Sequence, residues 1–126
     1  MKLTLASRSQ NYIKAYTPNE IQLASRSIVT NCLISHDQVI ADWSALDINS
    51  LTTEDLEPIF ILQPELVLLS TGSKQQFPSA HISAKFLSKS IGFEVMDVGA
   101  ACRTFNVLLS EDRRVVAAFL LGNADF

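Results

Sequence analysis

The chain has 126 residues, 48% hydrophobic and 18% charged, a balance that excludes disordered and fibrous classes and leaves one domain with enough apolar material for a core. A net charge of -3, with lysine and arginine spread thinly, argues against a nucleic-acid binder, which neutralises phosphates with a basic patch. No apolar run reaches the roughly 18 residues of a membrane span, so no membrane insertion is expected.

The N-terminal apolar patch, Leu3 to Ala6, is too short for a secretory signal. Residues 1–9 read as the frayed end of a single domain spanning 1–126. Residues 11–43 read as two antiparallel hairpins. "YIKAY" and "EIQLA" are short alternating runs joined by a turn at Pro18 and Asn19, and "SIVTNCLIS" and "VIADW" are joined by "HDQ". Trp43 closes the last run, either as a core residue or as a contact anchor. Helix and strand alternate after residue 50. In "LTTEDLEPIFILQ" Thr52 stands three residues before Asp55, a capping-box pattern, and Pro58 shortens or bends the helix. "ELVLLS" is a continuous apolar run suited to a strand covered on both faces. The loop "TGSKQQFP" follows, then a helix in "SAHISAKFLSKSI" with Ser79 as N-cap and Ile82, Phe86 and Leu87 on its buried side. "GFEVMDV" is the next strand and "RRVVAAFLL" the last. This order predicts an α/β fold with helices packed on a sheet.

Between those last two strands lies "VMDVGAACRTFNVLL". Asp97 fits an N-cap. Val98, Ala101, Cys102, Phe105, Leu108 and Leu109 recur at i, i+3, i+4, i+7, i+10 and i+11, the apolar stripe of an amphipathic helix. A thiol in that stripe has a raised pKa and little nucleophilic character, so Cys102 reads as structural; Cys32 and Cys102 together read as two reduced thiols of a cytoplasmic protein. Arg103 directly follows Cys102 and turns about 100° away, unlike the arginine of a phosphatase loop. Beside the stripe, Gly99, Arg103, Asn106 and Ser110 share a polar face. Gly99 permits close backbone approach, and Arg103 with Asn106 can grip a carboxylate, a phosphate or a peptide group. The alternative is an arginine that fixes the fold.

If "LVLLS" and "FEVMD" are parallel neighbours, Thr71-Gly72-Ser73-Lys74 and Asp97-Val98-Gly99 lie side by side at their C-terminal ends, where ligands gather in open α/β sheets. Lys74, Gln76 and Arg103 then share one rim. The glycine patterns of a P-loop and of a dinucleotide fingerprint are missing. His36 and His81 read as solvated surface, and no acid pair stands out as general acid and base. No metal site and no cofactor are expected.

"LLSTGSKQQFP" followed by "IGFEVMDVGAACRTFNVLLSEDRRVVAAFLL" resembles the Mth-like domain family, which includes mitochondrial respiratory complex I assembly factor three and the adipogenesis-associated Mth-like protein. The resemblance is close over Leu66 to Leu121 and rests on the joint order of Thr71-Gly72, Phe77-Pro78, "EVMD" and "AACRTFN". It implies a three-layer α/β fold with a mixed central sheet, packed helices and N-terminal antiparallel β-hairpins, and no established catalytic set. The family words touch Thr71, Gly72, Phe77, Pro78, Asp97, Ala101, Arg103, Thr104 and Asn106. Val98 and Phe105 stand where threonine and tyrosine are expected, which removes two hydroxyls. The long leader of the mitochondrial member is not seen, which argues against a direct role in complex I assembly.

Two functional readings follow. In the first, an uncharacterised bacterial-type Mth-like protein is a non-catalytic interaction or assembly factor that holds a protein partner at the Gly72 and Arg103 rim. In the second, a small enzyme or sensor binds an anionic metabolite there through Lys74 and Arg103, with Asp97 as acid or base. An exposed hairpin edge offers a route to a homodimer.

Overall fold

A computed structural model describes residues 11–121, so the expectation for residues 1–9 lies outside the described range. The order is β1 (Ile13–Thr17), β2 (Glu20–Leu23), β3 (Ser27–Ile28), β4 (Cys32–Ile34), β5 (Val39–Ile40), a 3-10 turn (Glu54–Leu56) running into α1 (Glu57–Ile61), β6 (Leu66–Ser70), α2 (Ala80–Ser88), β7 (Gly92–Met96), α3 (Val98–Ser110) and β8 (Val115–Phe119). β1, β2 and β3 form a small antiparallel sheet. The main sheet runs β5-β4-β8-β6-β7, antiparallel at β5-β4-β8 and parallel at β8-β6-β7.

The α/β reading and the mixed central sheet are met, and both hairpins form, β1 with β2 and β4 with β5, but the first run of the second hairpin is longer in sequence than the strand it supplies. "SIVTNCLIS" breaks at Val29 to Asn31. Its first part joins the small sheet as β3, and its second enters the main sheet as β4 beside β5 and β8. Asn31 fixes this corner. Its amide donates to the carbonyls of Ala45 and Leu46, and its Oδ1 accepts the N–H of Leu121.

Strand alternation divides the core in two. Cys32, Ile34, Leu68, Val115, Ala117 and Phe119 face one way, packing with α3 and the small sheet. Leu33, Val67, Leu69, Val116 and Ala118 face the other way, toward α1, α2 and Trp43. The result is three layers with the main sheet in the middle. Phe86 and Phe105 anchor opposite sides and are almost fully buried; each such side chain contributes about 1.5–3 kcal/mol by leaving water. Trp43 is a core residue, and its indole N–H donates to the Asp55 carbonyl at 2.8 Å.

The capping-box pattern is realised reciprocally. Asp55 N–H donates to Thr52 Oγ1, while Thr52 N–H donates to Asp55 Oδ2. Pro58 sits in the first turn of α1, where it costs no hydrogen bond, so the segment splits into a 3-10 turn and a short helix. Ser79 does precede α2 with extended geometry, but its hydroxyl meets His81 Nδ1 at 3.0 Å instead of capping an N–H. The expectation for Leu87 is overturned: it is 80% exposed. Ile82 and Phe86, four residues apart, fill the buried stripe of this nine-residue helix, and Leu87 lies about 100° further round.

Candidate functional site

β6 and β7 pair in parallel from Leu66 opposite Gly92 to Ser70 opposite Met96, which brings their C-terminal loops together. Thr71 N–H donates to the Met96 carbonyl at 3.0 Å, and Val98 N–H to the Gly72 carbonyl at 2.8 Å. Gly72 has φ +92°, a left-handed conformation that a side chain would strain. Thr71 closes the turn, its hydroxyl donating to the Lys74 carbonyl and accepting the Gln76 N–H. Ser73, Lys74 and Gln76 point to solvent.

On the second loop, Asp97 caps α3 by accepting the Ala100 N–H at 2.9 Å. The first turn of α3 is closed over: Val98 and Gly99 are buried. A Cβ on Gly99 would lie 2.6 Å from the Tyr16 hydroxyl and 3.2 Å from an Arg103 guanidinium nitrogen. Glycine therefore stands here because Tyr16 of β1 crosses the helix at that point. Arg103 reaches back over the same turn, its Nη1 3.5 Å from the Tyr16 hydroxyl. Thr104 is half-buried.

Asn106 has a defined task. Ile13 N–H donates to its Oδ1 and its Nδ2 donates to the Ile13 carbonyl, both at 2.9 Å. The side-chain amide thus stands in for a neighbouring strand and blunts the edge of β1, the hairpin edge considered for dimerisation. The polar face of α3 is in large part an attachment for the small sheet. Sequence reasoning missed Tyr16, and no local signal marks it, because the contact joins residues far apart in the chain.

Both thiols are buried and free. Burial pushes Cys102 up to about 12, with Arg103 nearby opposing, and burial pushes Cys32 likewise to about 12. Neither supplies thiolate near neutral pH. Ser70, at the end of β6, is fully buried, and its hydroxyl has no hydrogen-bond partner. Among the described residues no helix is long and apolar enough to cross a membrane.

Comparison with known proteins places these features in a family. Residues 13–120 match the family described as protein of unknown function (DUF498/DUF598). The NADH dehydrogenase [ubiquinone] 1 alpha subcomplex assembly factor 3 of Danio rerio is 26% identical over 110 residues, covering 86% of this chain and 63% of that protein. The chain thus spans less than two thirds of the length of that relative. The 13 kDa major membrane protein of Francisella tularensis subsp. holarctica is 33% identical over 84 residues, 66% of this chain and 68% of the relative. Among solved structures, a protein of Xanthomonas campestris superposes with TM-score 0.83 at 31% identity, covering 90% of this chain and 86% of that one. A Mth938-like domain of Bordetella pertussis does so with TM-score 0.76 at 24% identity, covering 90% and 87%, and supports the fold alone. The chain belongs to the DUF498/DUF598 family and has the Mth938-like α/β fold.

Proposed function

We propose that this chain is a non-catalytic interaction or assembly factor, with the rim formed by Thr71, Gly72, Ser73, Lys74 and Gln76 and by the first turns of α3 as one partner contact. The observation that carries this reading is how the chemistry-bearing groups are already employed. Asp97 holds a helix N–H, Asn106 holds both backbone groups of Ile13, and the Cys102 thiol sits in the core. The exposed groups Lys74, Gln76 and Arg103 suit recognition better than proton or acyl transfer. The likeness to an assembly factor supports the same reading. Two buried reduced thiols fit a cytoplasmic setting.

The test is affinity capture with the tagged full chain and with a Lys74→Ala/Arg103→Ala variant, read by quantitative mass spectrometry. A defined set of partners should fall several-fold with the variant. An unchanged partner list, with the variant folded by circular dichroism, would overturn the rim.

One observation favours the anionic-metabolite reading as a second. Arg103 is exposed and makes no ion pair among the described residues. An anion held there stabilises the fold by about 2.7 kcal/mol at a hundred times its Kd, so thermal-shift measurements against carboxylates and phosphates decide it.

A further inference from the structure

The far side of the main sheet carries a surface that the rim does not use. β7 is its last strand. Gly92 N–H donates to the Glu65 carbonyl and Thr71 N–H to the Met96 carbonyl, so the alternation of a parallel ladder turns the backbone groups of Gly92, Glu94 and Met96 toward β6. Those of Phe93 and Val95 face outward. Gln75 marks this independently: its Nε2 donates to the Val95 carbonyl at 2.7 Å, in the place of a neighbouring strand's N–H.

Beside this edge runs an open groove of about 670 Å³ between β7 and α2, lined by Gln75, Phe77, Leu87, Phe93, Glu94 and Val95 among others. Phe77 and Leu87 are 72% and 80% exposed, and at the floor Phe93 stacks on Phe86 at 4.2 Å between ring centroids. Edge groups that no neighbouring strand pairs, beside exposed apolar side chains, are the components of strand addition.

We propose that this edge binds an extended segment of a partner protein in the pattern apolar–basic–apolar, which adds a sixth strand to the main sheet. The two apolar residues lie opposite Phe93 and Val95 and enter the groove against Phe77 and Leu87. The residue between them lies opposite Glu94 on the other face, where a lysine or arginine pairs with the exposed carboxylate. The incoming N–H replaces Gln75 at the Val95 carbonyl. A second copy of this chain fits poorly. The two-fold register that joins Phe93 to Val95 of the other copy sets Glu94 against Glu94, and like charges directly opposite are unfavourable. Shifting the register to Phe93 against Phe93 brings in Ile91, whose N–H is already given to the Phe86 carbonyl.

This inference rests on the interaction-factor reading and assigns it a surface. The probes are two synthetic peptides, acetyl-Thr-Val-Lys-Val-Thr-amide and its glutamate counterpart, titrated into the full 15N-labelled chain. The expected result is slowed amide exchange at Phe93 and Val95, with shift changes at Phe77 and Leu87. The lysine peptide should bind about 1.4- to fivefold tighter, the range of one cross-strand charge pair. Glu94→Lys should reverse that order. Leu87→Asp, at an exposed position, should weaken both peptides while leaving the spectrum of the free chain intact. No protection at Phe93 and Val95, or equal binding of both peptides, overturns the proposal, as does peptide-free, concentration-dependent protection there, which would mean pairing between copies. Failure here with partners still lost on Lys74→Ala/Arg103→Ala overturns the groove alone. If those partners persist as well, the rim falls with the groove; if the unmodified chain captures no defined partner, the interaction reading itself fails.

Discussion

α2 and α3 follow adjacent parallel strands, yet their surroundings differ. α3 is closed on two sides. Its apolar stripe packs on the main sheet, and its polar face is roofed by β1 through Tyr16, Arg103 and Asn106. α2 buries Ile82 and Phe86 and leaves Leu87 in solvent beside the outer edge of β7, the last strand of the sheet. The fold thus spends polar side chains of α3 on joining two sheets, while the α2 side keeps apolar side chains and backbone groups available.

The largest expected effect breaks the closed side. Phe105→Ala leaves a cavity under the small sheet and should cost about 3–5 kcal/mol in urea unfolding, whereas Leu87→Ala on the open side should stay within about 0.5 kcal/mol. The next is alkaline. The folded thiols of Cys32 and Cys102 titrate near 12 against an ordinary 9.0, so their contribution is complete below about pH 9 and is lost as pH rises toward 12. Stability measured across that window should fall more steeply for the native chain than for a Cys32→Ala/Cys102→Ala variant. Iodoacetamide at pH 8 should label neither thiol until the chain unfolds.

Asn106→Ala separates the two sheets. It removes two hydrogen bonds and strands the Ile13 groups, which should cost about 1–3 kcal/mol. Hydrogen exchange should then speed up in β1 and β2 first, with β6 and β8 still protected. A uniform loss of protection would mean that the small sheet is no separate attachment. The smallest effect is a gain. Ser70→Ala removes a buried hydroxyl without a partner and should add about 1 kcal/mol in the same urea measurement.

Local chemistry sufficed for several elements. The i, i+3, i+4, i+7 spacing placed Cys102 and Phe105 inward, Thr52 and Asp55 announced their box, and the apolar run at Leu66 to Ser70 gave a strand buried on both faces. These depend on neighbours within a turn or on a period of two. The adjacency of the two loops that bound the candidate rim was legible, because parallel pairing of β6 and β7 follows from the β-α-β order. The use of its residues was not, since whether Asn106 meets a ligand or a backbone depends on where a hairpin 93 positions earlier in the chain comes to rest.

By itself, the amino-acid order determined the class of fold, the inward thiol of Cys102 and the cap on α3, for these rest on periodicity and on contacts a few residues long. Only tertiary structure decided that "SIVTNCLIS" divides between two sheets, that Tyr16 covers Gly99, and that β7 ends the sheet with Phe77 and Leu87 beside it. The physical reason is that hydrophobic periodicity tells a side chain which way to face but carries no information about which distant surface it will meet.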